Sequence, residues 1–197
     1  MIYSGKVEDI SWPSGAWLIL DIGFSNSQKS CGILLGDEEV RCLTFNEAIN
    51  EVIRIVNSLP LLNLVIEAPL SVAFDKYGNP KVRRIDKKGG QSRPWYVGAG
   101  CTVMVAAMYL VRTLYDLNPS AEVRLFEGFV SFKRKGNRSS HSEDVGCLRN
   151  AIKGKEERDY CFYKPEEFKE DESDKIMSAF KLMNIDLGIP PVIKVDG

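Results

Sequence analysis

Histidine is nearly missing from this chain of 197 residues: His141 is the only one. A single imidazole excludes the paired histidines of H-E-x-x-H zinc hydrolases, and no Cys/His cluster has zinc spacing. A Ser-His-Asp triad could draw only on His141, and no G-x-S-x-G accompanies it. The five cysteines (Cys31, Cys42, Cys101, Cys147, Cys161) are odd in number, contain no C-x-x-C and follow no secretory signal. Reduced thiols in a cytoplasmic protein are expected. Net charge is also small, since 26 Lys+Arg against 27 Asp+Glu leaves −1. Bulk charge therefore points to no nucleic-acid partner, and any such sign must come from where the charges sit. No internal repeat or low-complexity tract is present. The longest uncharged run, 94–111, reaches the lower length limit of a membrane span. It opens Pro-Trp-Tyr-Val-Gly-Ala-Gly, however, and then carries Val103, Ala107, Leu110 and Leu114 at helical spacing, so a buried helix is expected and no membrane partner.

What is present is the mixture of one soluble globular domain: 44% hydrophobic and 27% charged residues. Trp17 to Ile22 is a short, almost wholly apolar run between Gly15 and Gly23, the pattern of a buried strand. Cys31 to Leu35 and Glu39 to Phe45 read as two further strands, tightly linked and therefore antiparallel. With Asn46 as its expected N-cap, a helix carries Ile49, Val52, Ile53 and Val56 on one face. Leu62 to Glu67 is a fourth strand, stopped by Pro69. A long polar loop from Ser71 to Gly100 follows, then a helix over about 99–117 and a fifth strand from Glu122 to Phe132. Ser140 to Glu143 matches a capping box opening a helix that runs through about Ile152. Asp159 to Tyr163 fits a strand or a loop. A last helix is expected to carry Ile176, Ala179, Phe180 and Met183 on one face.

The expected fold is α/β: a mixed five-stranded sheet, three antiparallel N-terminal strands and then parallel ones, flanked by helices. A doubly wound nucleotide-binding fold fits worse, for want of helices between the first strands and of a G-x-G-x-x-G. Asp21 interrupts an apolar run, where an ionised carboxylate costs several kcal/mol unless it is paired or cation-bound. Glu67 occupies the same position in Leu64-Val-Ile-Glu67-Ala-Pro. If the two strands are parallel neighbours, both carboxylates face one crevice at the strand ends. Asp171 and Asp174 are spaced i, i+3, which makes them neighbours on a helix. A Mg²⁺ or Mn²⁺ ion relieves the repulsion of gathered carboxylates, and two such ions could activate water against a phosphodiester. Each acid also has a plain structural alternative: Asp21 paired with an arginine or capping a turn, Asp171 and Asp174 as an ordinary helix start.

Leu18-Ile-Leu-Asp21-Ile-Gly, Val65-Ile-Glu67-Ala and Asp171-x-x-Asp174-Lys-Ile-Met together resemble the RuvC-type branch of the ribonuclease H-like nucleases. That resemblance implies an Asp on strand one, a Glu on strand four and an Asp-x-x-Asp on the last helix. Asp21, Glu67, Asp171 and Asp174 would then hold the metals and act in catalysis. A further likeness, over about residues 16–185, is to a bacterial and archaeal family of predicted ribonuclease H-like nucleases. It rests on Ala68-Pro-Leu-Ser71, Arg84-Ile-Asp86, the strand-five acid Glu127 and the final acidic segment. Glu127 here precedes Gly128-Phe129 rather than the family's His-Pro type pair.

Lys81, Arg83, Arg84, Lys87, Lys88 and Arg93 fall within thirteen residues, with Trp95-Tyr96 nearby. Lys133, Arg134, Lys135 and Arg138 form a second basic cluster after strand five. Cations interleaved with aromatics suit nucleic acid, so Arg83, Arg84, Lys87, Lys88, Lys133 and Arg134 are candidate phosphate contacts. The expected activity is metal-dependent hydrolysis of nucleic-acid phosphodiesters. The alternatives are a non-catalytic nucleic-acid or protein-binding module on the same fold, and a nucleotide-binding relative of the actin-like ATPases.

Overall fold

The structure, a computed structural model, describes residues 1–24, 29–131, 140–154 and 160–196. The chain opens with strand β1 (Ile2–Ser4) and two short 3-10 turns, then forms β2 (Ala16–Asp21), β3 (Cys31–Leu35) and β4 (Arg41–Leu43). Helix α1 (Phe45–Val56) leads to β5 (Leu61–Glu67). Its N-cap is Thr44 rather than Asn46. The Thr44 hydroxyl accepts from the Glu47 N–H, and the Glu47 carboxylate takes the Thr44 N–H at 2.8 Å. That closed box satisfies two orphan donors and moves the helix start forward.

The segment expected as one polar loop contains four short strands: β6 (Ser71–Phe74), β7 (Pro80–Lys81), β8 (Lys87–Lys88) and β9 (Gln91–Ser92). Helix α2 (Gly98–Leu117), β10 (Glu122–Ser131) and α3 (His141–Ile152) follow, then β11 (Tyr160–Tyr163), β12 (Lys175–Ser178) and β13 (Val192–Asp196).

The main sheet has eight strands rather than five. Its path is β11-β13-β10-β5-β2-β3-β4, with β1 also paired to β10. The β2, β3 and β4 neighbours are antiparallel, whereas β2, β5, β10 and β13 run parallel. The three additional strands lie at the chain ends or on the sheet edge. β10 is long enough to hold two partners on one side: β1 along its first half and β13 along its second. β12 pairs antiparallel with β6, which pairs with β7, in a separate three-stranded sheet. The expected last helix is therefore a strand running into a 3-10 turn, Ala179–Met183. Ile176 and Met177 pack in different clusters on opposite sides of β12, as alternating strand residues do.

The strands bury both faces. Leu18, Leu20, Leu64 and Ile66 face α1 and α2, meeting Val52, Ile55, Val56, Leu110, Val111 and Leu114. Trp17, Ile19, Val65 and Phe126 face α3, meeting Val145, Leu148 and Ile152. Each such side chain, fully buried, contributes about 1.5–3 kcal/mol, which is why these runs carry almost no polar residue. α2 is the one described helix long and apolar enough to cross a membrane, with mean hydropathy 1.3. Here it packs one face against the sheet while Val105 and Tyr109 remain exposed.

Candidate functional site

Side chains alternate along a strand, so the apolar pattern fixes where the two strand-end acids go. Trp17 and Ile19 face α3, and Asp21 is next in that series; Val65 faces α3, and Glu67 is next. β2 and β5 are parallel neighbours with Asp21 directly opposite Glu67. The residues flanking this pair across the sheet are both glycines: Gly32 opposite Asp21 on β3 and Gly128 opposite Glu67 on β10. The glycines let α3 come close. A Cβ on Gly32 would stand 2.6 Å from the His141 carbonyl oxygen, and one on Gly128 would stand 2.8 Å from Leu148 Cδ1. The first turns of α3 consequently lie over the acid pair.

That placement brings His141 and Asp144 to the site. His141 Nδ1 is 2.8 Å from Asp21 Oδ2, with the imidazole itself half-exposed. Asp21 is 1% exposed, and neither of its carboxylate oxygens receives a well-directed hydrogen bond among the described residues. Burial pushes its carboxyl up from the usual range. The His141 imidazole pulls it back down, the Asp144 charge adds to the rise, and the nearby Glu67 carboxyl lowers it. Glu67 Oε1 accepts the Val130 N–H at 3.2 Å. Asp21, Glu67, His141 and Asp144 all line a cleft of about 670 Å³ at the C-terminal ends of β2, β5 and β10. The opposite wall comes from Arg93 and the start of α2. Clefts at such strand ends are where open α/β sheets bind ligands.

The second expected acid pair is elsewhere. Asp174 is buried in the turn before β12, where it accepts the Glu170 and Asp171 N–H groups and pairs with Lys81 Nζ at 2.8 Å. Burial alone would raise its carboxyl, but Lys81 and the two backbone donors hold it below the usual range. Asp171 is exposed and bonded to Ser173. Neither lines the cleft. The i, i+3 spacing is real, but it serves a turn and an ion pair. Asp144, which lines the cleft, is not among the acids expected there from the sequence. Its signal was available as His141-x-x-Asp144, one helical turn apart on the helix after the fifth core strand.

The basic candidates also separate. Arg83 is fully buried, with no exposed face to offer a phosphate. Its Nη2 pairs at 2.7 Å with both Asp86 Oδ1 and Glu127 Oε1, while Nη1 donates to Ser71 Oγ at 2.7 Å and Glu127 Oε2 at 2.8 Å. Burial works against its charge, but the Glu127 and Asp86 carboxylates outweigh that and raise its pKa. Glu127 also accepts the Leu70 N–H at 2.7 Å, which pins the chain just beyond Glu67. Arg83, not Arg84, is thus the partner of Asp86, and Arg84 is exposed. Lys87 and Lys88, on the exposed β8–β9 hairpin, pair with Glu170 at 2.5 Å and Asp196 at 3.5 Å. Lys133 and Arg134 lie outside the described residues.

Among the described residues, no group of three or more His, Cys, Asp or Glu side chains forms a ready-made metal site. The donors nonetheless fit a hard cation of the magnesium type. Such ions take one or two carboxylates and fill their remaining positions with water and substrate phosphate. Asp21, buried with an unsatisfied oxygen beside Glu67, is the group whose desolvation a cation would offset. No protein-family model, curated protein or solved structure matches the chain.

Proposed function

We propose that the protein is a divalent-metal-dependent phosphodiester hydrolase of ribonuclease H-like type, acting on nucleic acid. The carrying observation is the register of Asp21 against Glu67 on two parallel central strands, under the N-terminal turns of α3. The strand order supports it. In chain order from β2, the five core strands lie third-second-first-fourth-fifth, with the second antiparallel to the rest of the central four. An antiparallel N-terminal trio followed by parallel strands is the mixed sheet expected on the ribonuclease H-like reading. Asp21 and Glu67 would hold Mg²⁺ or Mn²⁺, with Asp144 as the third carboxylate in place of Asp171 and Asp174.

When bound, the cation supplies charge neutralisation at the phosphate and a water of lowered pKa. The chain's own groups do the rest. Burial of Asp21 keeps water from competing for its carboxylate. His141 Nδ1 stands 2.8 Å from Asp21 Oδ2, beside that carboxylate, and the half-exposed ring lines the cleft. The close approach of α3 at Gly32 brings His141 and, one turn on, Asp144 to the cleft. The proposed substrate contact on the facing wall is Arg93.

Cleavage of labelled single strands, duplexes and four-way junctions with Mg²⁺ or Mn²⁺ tests the proposal. Asp21→Asn, Glu67→Gln and Asp144→Asn should each abolish turnover, whereas Asp171→Asn should not. Loss in Asp171→Asn with retention in Asp144→Asn would return the third acid to the 171–174 turn. Metal-dependent binding with no cleavage of any of the three substrates would favour a non-catalytic module.

A further inference from the structure

α1 and α3 each open on a side-chain cap with an acid in the first turn, Thr44 with Glu47 and Ser140 with Glu143. α2, the longest helix at 20 residues, opens on neither. Its N-cap is Val97, and its first turn, Gly98-Ala99-Gly100, contains no carboxylate. The first N–H groups of such a helix lack intrahelical partners and carry the positive end of its dipole. Here Gly98, Ala99 and Gly100 line the cleft together with Arg93. The helix entry is open at Gly98 and packed on its own preceding segment at Gly100. Gly98 has φ +54 with open space where a Cβ would be, while a Cβ on Gly100 would stand 2.8 Å from the Pro94 carbonyl oxygen.

The facing wall has the opposite preference. Asp21 is almost completely buried, its oxygens lack directed hydrogen bonds, and Glu67 and Asp144 stand beside it. Asp86, the carboxylate on the α2 side, has both oxygens engaged by Arg83. One wall therefore calls for a cation and the other for an anion. A divalent cation carrying a phosphate ester satisfies both, and a magnesium-type ion with few protein carboxylates is completed by phosphate oxygens.

We infer that the first turn of α2, with Arg93 at its rim, seats a phosphate group of the ligand across the cleft from the carboxylates. The inference rests on the proposed metal-dependent function for the identity of the ligand, but the seat itself can be tested without turnover.

Inorganic phosphate is titrated into the full chain by calorimetry, with and without Mg²⁺, for wild type, Arg93→Gln and Ala99→Asp. An acid in the first turn stabilises a free helix, so lost phosphate binding in Ala99→Asp cannot be ascribed to unfolding. Phosphate affinity should fall about tenfold in each variant, while stabilisation by Mg²⁺ alone is retained. Equal phosphate affinity in wild type and Ala99→Asp, or none in wild type at millimolar phosphate, overturns the seat. Phosphate binding that needs Ala99 uncharged, in a protein that Mg²⁺ does not stabilise, keeps the seat and removes the metal. Competition by a dinucleotide lacking terminal phosphate assigns the seat to an internal phosphodiester. Competition only by its 5′-phosphorylated form assigns it to a strand end, and competition by neither overturns a nucleic-acid phosphate as the occupant.

Discussion

A carboxylate placed under a helix and beside a second carboxylate makes the protein's stability depend on pH in a definite direction. Asp21 has a raised pKa in the folded state, so its contribution is fully present at low pH and is lost as pH rises through the folded value. Metal-free melting temperature should therefore fall as pH rises above the ordinary carboxylate range. Asp21→Asn should flatten that fall, and Mg²⁺ should reverse it in wild type only. A metal-free profile identical in wild type and Asp21→Asn would leave Asp21 without the strain assigned to it. Asp174 has the opposite sign: its lowered pKa gives stability above the ordinary carboxylate range that is lost as pH falls through the folded value. Arg83→Met should cost about 3–5 kcal/mol in denaturant unfolding, because it strands two buried carboxylates. A variant that melts like wild type yet binds nucleic acid less well would restore Arg83 as a phosphate contact. Asp21 and Glu67 were legible as candidate site residues because each breaks an apolar strand. Arg83 was not legible, since a buried and an exposed arginine look alike in a basic run. Its burial is set by Glu127, 44 positions away.

The elements that a clear period announced are present with nearly the expected bounds: β2, β3, β5, α1, α2, β10 and α3. The failures are short segments, where a few apolar residues fit either period. Ile176, Ala179, Phe180 and Met183 have helical spacing, but pairing with β6 takes the first part as strand and leaves the rest as a 3-10 turn. Tertiary partners decided what local pattern could not. The polar 71–100 stretch hid its strands for the same reason, because two-residue strands carry no period. At this scale the closeness of α3 to the sheet is the testable property. Gly32→Ala should push the His141 end outward, cost about 1–3 kcal/mol and weaken Mg²⁺-induced stabilisation. Gly146→Ala, on the same helix with open space around it, should instead stabilise by about 0.5–1 kcal/mol. Thermal melts of the two variants, with and without Mg²⁺, check both.

The sheet extends beyond the 16–185 stretch at both ends, through β1 and β13. β1 is only three residues long and β13 follows Pro190-Pro191, so neither stands out as a strand until β10 offers an edge. Val192, Ile193 and Val195 are buried there. Ending the chain at Pro190 should expose the second half of β10 and abolish the cooperative melt, as read by circular dichroism. β1 and β13 lie end to end along the same side of β10, and the Ser4 N–H donates to the Leu187 carbonyl at 2.7 Å where they meet. Synthesis on the ribosome meets this seam from its two ends at different times. The first strand emerges long before its partner β10 exists, and β13 emerges only after β10 and the 60 residues that follow it. The half of β10 that holds Gly128 against Glu67 is then closed well after its first half. A nascent chain that has released every described residue lining the cleft therefore still lacks the strand that closes the sheet beside it.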